Sequence, residues 1–128
     1  YGHENGNLVL KEFASHLQTL VDDRYVLARY GGEEFVMLLP NTSSREALEI
    51  AEHYRQRIEQ LSFQLVVIEQ QMKKRADVQI TVSLGVASIP EHTVMSRDLI
   101  AFADQALYVG AKQAGRNRVA VYNKSMSN

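Results

Sequence analysis

The chain has 128 residues and no cysteine, is 45% apolar and 23% charged, and carries a formal net charge of −1. This fits one globular domain that buries a core without cross-links; it excludes a disulfide framework, a thiolate metal site and a cysteine nucleophile. Near-neutral charge gives no global attraction to nucleic acid or to an anionic membrane, so any polyanion site must be local. No apolar run approaches the ~20 residues of a membrane span. No secretory signal is visible, and the expected setting is cytoplasmic. The opening "YGHENGNLVL" has neither Met nor leader and reads as a piece of a longer protein.

Leu10, Phe13, Ala14, Leu17 and Leu20 recur at helical spacing. With Asn7 as N-cap, they predict a helix from about Asn7 to Val21. The strand-like runs "RYVLARY" and "EFVMLLP" flank Gly31–Gly32. They predict a hairpin, because both glycines can take positive φ. "SSREALEIAEHYRQRIEQL" sets Ala47, Ile50, Ala51, Tyr54, Ile58 and Leu61 on one helical face, and Ser43 with Glu46 fits a capping box. "SFQLVVI" reads as a short strand and "EQQMKKRAD" as an exposed connection. "VQITVSLGVASIP" alternates Val78, Ile80, Val82, Leu84 and Val86, which predicts one strand with a face in the core. In "MSRDLIAFADQALYVGAKQAG" a helical repeat starts at a Ser96 cap and stops at Gly115, the position of a C′ glycine. "NRVAVY" predicts a last strand. Hairpins mixed with helices give an α+β fold with helices packed on a sheet. The domain is expected over 1–122, with 123–128 as a tail.

Two clusters carry possible chemistry. Glu33 and Glu34 follow the glycine pair. Consecutive strand residues point to opposite faces, so one carboxylate can face a cleft while the other meets a different partner. Glycines let a ligand approach the backbone and leave N–H groups open to an anion. A carboxylate there can hold Mg²⁺, which needs only one or two carboxylates besides phosphate oxygens. The other reading is a plain hairpin with exposed glutamates. Lys112 and Arg116 are four apart at the end of the last helix, which places them on one side. They can clamp phosphate, or simply complement the helix dipole.

Taken together, "YGHENGN", "RYGGEEF", "TVSLGVAS" and "ADQALYVGAKQAGRNRV" resemble, in order, the motif blocks of the GGDEF family of diguanylate cyclases. The resemblance implies a central, mostly antiparallel sheet flanked by helices, the nucleotidyl cyclase or palm type with a ferredoxin-like core. It implies that two domains meet as a homodimer, each carrying one GTP, and condense them into cyclic di-GMP with release of pyrophosphate. By the same resemblance Glu33 and Glu34 are catalytic, Glu33 also being the Mg²⁺ (or Mn²⁺) ligand and the base for the 3′-hydroxyl. Gly31 and Gly32 lie against the nucleotide, Lys112 and Arg116 hold its terminal phosphates, and Asn7 stands at the guanine-reading position. An upstream sensor domain is expected. Neither nucleic acid nor a membrane contact of this domain is.

The match departs from the family pattern in three places. Asn7 replaces an Asp that accepts from both guanine N1–H and the 2-amino group; Asn offers one acceptor and one donor. The family's inhibitory product site uses R-x-x-D, and its ends fall here on Asp22 and Tyr25, so product inhibition through that motif is not expected. The family's first strand, with an Asp metal ligand, precedes Y-G-H; the chain is expected to be N-terminally truncated and inactive by itself, its intact parent being the enzyme. The alternative is a degenerate module that binds nucleotide or a partner and regulates a neighbouring domain without catalysis.

Overall fold

The computed structural model describes residues 2–30, 34–61 and 63–126. Its first element, α1 (Gly2–Leu20), begins earlier than the sequence predicts, with Asn7 inside the helix and not at its cap. Apolar spacing marks where a helix buries a face, not where its ladder of hydrogen bonds starts. Gly6 lowers helix propensity by ~1 kcal/mol without breaking the run. The chain divides into two compact units, Tyr1–Pro40 with Leu61–Gln79, and Asn41–Gln60 with Ile80–Asn128.

In the first unit α1 buries Phe13 and Leu17, one turn apart. The Phe13 ring meets Phe35 edge-on at 5.5 Å between centroids. Phe35 opens β2 (Phe35–Leu38), which pairs antiparallel with β1 (Val26–Arg29) from Val26↔Leu38 to Arg29↔Phe35. The expected hairpin is therefore present. A second hairpin, β3 (Phe63–Glu69) with β4 (Met72–Val78), runs alongside α1. It corrects the reading of "EQQMKKRAD" as a connection. Gln70 and Gln71 take φ of 51° and 66° and close the turn between Glu69 and Met72. Such turns ordinarily show Gly, Asn or Asp, so glutamines hide this one from the sequence.

The second unit is built on α2 (Ser44–Gln60), whose buried stripe is Ala51, Tyr54 and Ile58. The capping box forms: Glu46 N–H donates to Ser43 Oγ at 3.1 Å, and Ser43 N–H to Glu46 Oε1 at 3.5 Å. β5 (Leu84–Val86) and β6 (Val119–Val121) pair in parallel. The crossover between them contains α3 (Ser96–Gln105) and a π-helical stretch, Ala106–Lys112. The long strand predicted from Val78 to Val86 is thus two pieces. Val78 closes β4, and ladder pairing resumes only at Leu84, opposite the three residues of β6. Alternation reports a buried face but not how far a partner extends. Ser96 is the first residue of α3 and not its cap; Met95 is the cap residue, and its N–H is taken by Thr93 Oγ1 at 3.0 Å.

Packing in this unit is close. Ala106 and Ala111 are fully buried, Tyr122 stacks on Phe102 at 4.3 Å, and His92 meets the Tyr122 ring edge-on at 5.6 Å. His92 Nδ1 accepts from Ser88 N–H at 2.9 Å. A Cβ at Gly85 would lie 2.0 Å from the Ala103 carbonyl oxygen and 2.5 Å from Leu107 N. The helical stretch therefore rests directly on the β5 backbone. Residues Lys124–Met126 form a 3₁₀ turn in the expected tail. The α+β class is as expected. Two of the three strand pairs among the described residues are antiparallel. No helix among them is long and apolar enough to cross a membrane.

Candidate functional site

The acidic hairpin lies in the first unit. Tyr30 N–H donates to the Glu34 carbonyl at 2.8 Å, which fixes the ladder up to the residues that flank the loop. Glu34 is exposed and immediately precedes β2. Gly31, Gly32 and Glu33 lie outside the described residues, as does the side chain of Asn7, whose backbone is in α1. Phe35, the residue after Glu34, packs edge-on against Phe13.

Just ahead of β1, Arg24 binds Asp22. The guanidinium donates from Nε to Oδ1 at 3.1 Å and from Nη2 to Oδ2 at 3.2 Å, and Arg24 N–H donates to Oδ1 at 2.9 Å. These bonds hold the Asp22 carboxyl below its ordinary range, the side-chain bond from Arg24 being the main cause. Arg24 is thus engaged by Asp22, at the position where the resemblance expects the arginine of R-x-x-D. We expect cyclic di-GMP titrated calorimetrically against the chain not to bind through this pair, because Asp22 already engages the Arg24 guanidinium. Binding that is abolished by Arg24→Ala would show that the pair opens to the dinucleotide.

The basic pair lies in the second unit, and here the sequence reading needs correction. Lys112 ends the π-helical stretch, where Gln113 N–H donates to the Tyr108 carbonyl at 3.0 Å, five residues back. Gly115 follows with φ of 119°, and Arg116 N–H reaches the Ala111 carbonyl at 2.9 Å. This is a Schellman-type ending, with glycine at the expected position. Arg116 itself has φ of 65° and lies beyond the helix. Spacing of four on an α-helix therefore does not describe how Lys112 and Arg116 are related. Lys112 is half-buried and Arg116 exposed.

The sequence reading missed a polar cluster that meets this loop. On α2, Glu52, Arg55 and Glu59 follow at spacings of three and four. Arg55 Nε donates to Glu52 Oε1 at 2.9 Å, and Nη1 donates to Glu59 Oε2 at 3.0 Å and to Asn117 Oδ1 at 2.9 Å. Asn117 Nδ2 donates to the same Glu59 oxygen at 2.6 Å, and Asn117 N–H to Ser83 Oγ at 3.0 Å. The helical ion pairs were legible at i, i+3 and i+4. The partner on the loop was not, because it lies 62 residues from Arg55. Hydrogen bonding to Arg55 lowers the Glu52 pKa, and the same bond raises that of Arg55. A lowered carboxyl pKa contributes stability above the unfolded value of ~4.3 that is lost as pH falls through the folded value. Denaturant titrations at a series of pH values should show stability falling below about pH 4. Glu52→Gln should flatten part of that slope, and an unchanged slope would contradict the assignment.

Among the described residues no three of His, Cys, Asp or Glu gather as a metal site. The expected donor set, one carboxylate plus phosphate oxygens, suits Mg²⁺ without such a cage. A shallow hollow along α2, lined by Leu48, Glu49, Glu52, His53, Gln56 and Val119, contains none of the expected site residues.

Residues 1–118 match the family described as "Diguanylate cyclase, GGDEF domain". The chain belongs to the GGDEF family. It is 35% identical over 126 residues to diguanylate cyclase A of Treponema denticola, covering 98% of this chain and 32% of that protein. It is 39% identical to the uncharacterized protein YhcK of Bacillus subtilis, covering 97% and 32%. The chain thus spans about a third of the length of these curated relatives. Among solved structures it resembles the active GGEEF domain of a diguanylate cyclase from Vibrio cholerae, with 32% identity and a TM-score of 0.69, covering 97% of this chain and 72% of that one. It also resembles the GGDEF domain of DgcB from Caulobacter crescentus, determined in complex with c-di-GMP, with 30% identity and a TM-score of 0.71, covering 94% and 65%. These GGDEF neighbours agree with the palm-type α+β fold expected from the motifs.

Proposed function

We propose that this chain is the cyclase domain, over 1–122 with a short tail at 123–128, of a cytoplasmic diguanylate cyclase. The observation that carries the reading is the family match over 1–118, which includes the Gly31–Phe35 signature and both Lys112 and Arg116. In each half of the reaction a GTP 3′-oxygen bonds to the α-phosphorus of the second GTP. The bond from that phosphorus to the bridging oxygen breaks, pyrophosphate leaves, and Glu33 accepts the hydroxyl proton. Two such steps close the ring, so the working species is a homodimer with one GTP on each protomer. Gly31 and Gly32 admit the nucleotide to the backbone, and Glu34 supports the hairpin. Lys112 and Arg116 neutralise the terminal phosphates, Arg116 through its fork of donors. When bound on Glu33, Mg²⁺ or Mn²⁺ supplies charge stabilisation to the phosphate oxygens. Asn7 stands at the guanine-reading position with one mismatched hydrogen bond, costing roughly 1–3 kcal/mol of GTP affinity. An upstream sensor domain controls the pairing of protomers.

The test is incubation of the intact protein with GTP and Mg²⁺, with cyclic di-GMP and pyrophosphate quantified. Two pyrophosphates per cyclic product support the reading. GTP binding without turnover identifies a regulatory module and overturns it.

A further inference from the structure

Gly115, Arg116 and Asn117 take φ of 119°, 65° and 49°, three left-handed residues in a row. Glycine tolerates this and Asn partly so, but an arginine there is strained. The turn is held from every side. Arg116 N–H is bonded to Ala111, and the Arg116 carbonyl accepts Arg118 Nε at 3.2 Å. Asn117 is held by its N–H on Ser83 and by both ends of its side chain on Arg55 and Glu59. The Arg55 side chain is only 15% exposed, and its guanidinium is engaged by Glu52, Glu59 and Asn117. Its donors are thus committed within the protein. Arg116, in contrast, is exposed, and its guanidinium makes no hydrogen bond or ion pair among the described residues.

We infer that Arg55, Glu59 and Asn117 form a clamp that fixes the left-handed turn and thereby aims Arg116 at the terminal phosphates of the nucleotide. Arg55 and Asn117 are positioning residues, and the inference rests on the phosphate role proposed for Arg116. A loop that only had to leave a helix could relax Arg116 into the ordinary right-handed region. Here a nearly buried cation of α2 is bonded to the very next residue, which prevents that relaxation. The arginine fork recognises phosphate through direction as well as charge, so a few degrees of freedom at its Cα weaken a bidentate contact.

The experiment measures binding of a non-hydrolysable GTP analogue and of GMP to the intact protein with Mg²⁺, by calorimetry. The variants are Asn117→Gly, Arg55→Lys, Arg116→Ala and the double change Asn117→Gly with Arg116→Ala. Glycine suits the backbone at 117 and lysine keeps the charge at 55, and circular dichroism checks that each variant is folded. Each should bind the triphosphate about tenfold more weakly, the equivalent of one charged hydrogen bond, and GMP as the wild type does. The double variant should bind no more weakly than Arg116→Ala alone. Unchanged triphosphate affinity in Asn117→Gly and Arg55→Lys, or additive losses in the double variant, overturns the clamp while leaving the cyclase reading intact. Wild-type affinity in Arg116→Ala overturns the phosphate role itself and the clamp with it.

Discussion

Glu33→Ala in the intact protein should reduce cyclic di-GMP formation by roughly 10³-fold or more, beyond the usual loss for one transition-state contact. The proposed role gives this carboxylate two tasks, holding the divalent cation and taking the 3′-hydroxyl proton. Alanine removes both the charge and the base. Glu33→Gln keeps the shape but supplies neither, so it should be nearly as inactive. Glu33→Asp keeps the charge on a side chain one methylene shorter and is the residue in the family's name; it should retain activity within about tenfold of wild type. The measurement is product formation from GTP, with circular dichroism to show that each variant is folded. Turnover by Glu33→Ala at the wild-type rate would remove the hairpin from the mechanism.

Gly85→Ala should destabilise the second unit by about 3 kcal/mol or more, a fall in Tm on the order of 10 °C. The added methyl carbon would sit 2.0 Å from the Ala103 carbonyl oxygen, 2.5 Å from Leu107 N and 2.9 Å from Leu107 Cα. All three are backbone atoms, so no rotamer change can make room. Relief requires moving either β5 from β6 or the helical stretch that ends in Lys112. Thermal unfolding read by circular dichroism checks this. A loss under 1 kcal/mol would mean that the helix lifts easily from the strand.

Several features were legible in the residues themselves. The capping box at Ser43 and Glu46, the stripe of Ala51, Tyr54 and Ile58, the first hairpin and the stop at Gly115 all follow from local chemistry. Each depends on neighbours a few residues apart and is therefore visible without the fold. The turn at Gln70–Gln71 was not legible, because its positive φ values fall on residues with no preference for them. Nor was the short extent of β5, which its partner β6 decides.

The candidate site divides along the same line. The order and identity of the motif residues, from Gly31 to Arg116, are properties of the sequence, and they are what assigns the family. The left-handed turn at Arg116 and its attachment to Arg55 are properties of the fold. Local spacing could suggest that Lys112 and Arg116 share a helix face. Only the π-helical stretch and a hydrogen bond spanning 62 residues decided otherwise, because backbone conformation at a helix end is set by what the loop packs against.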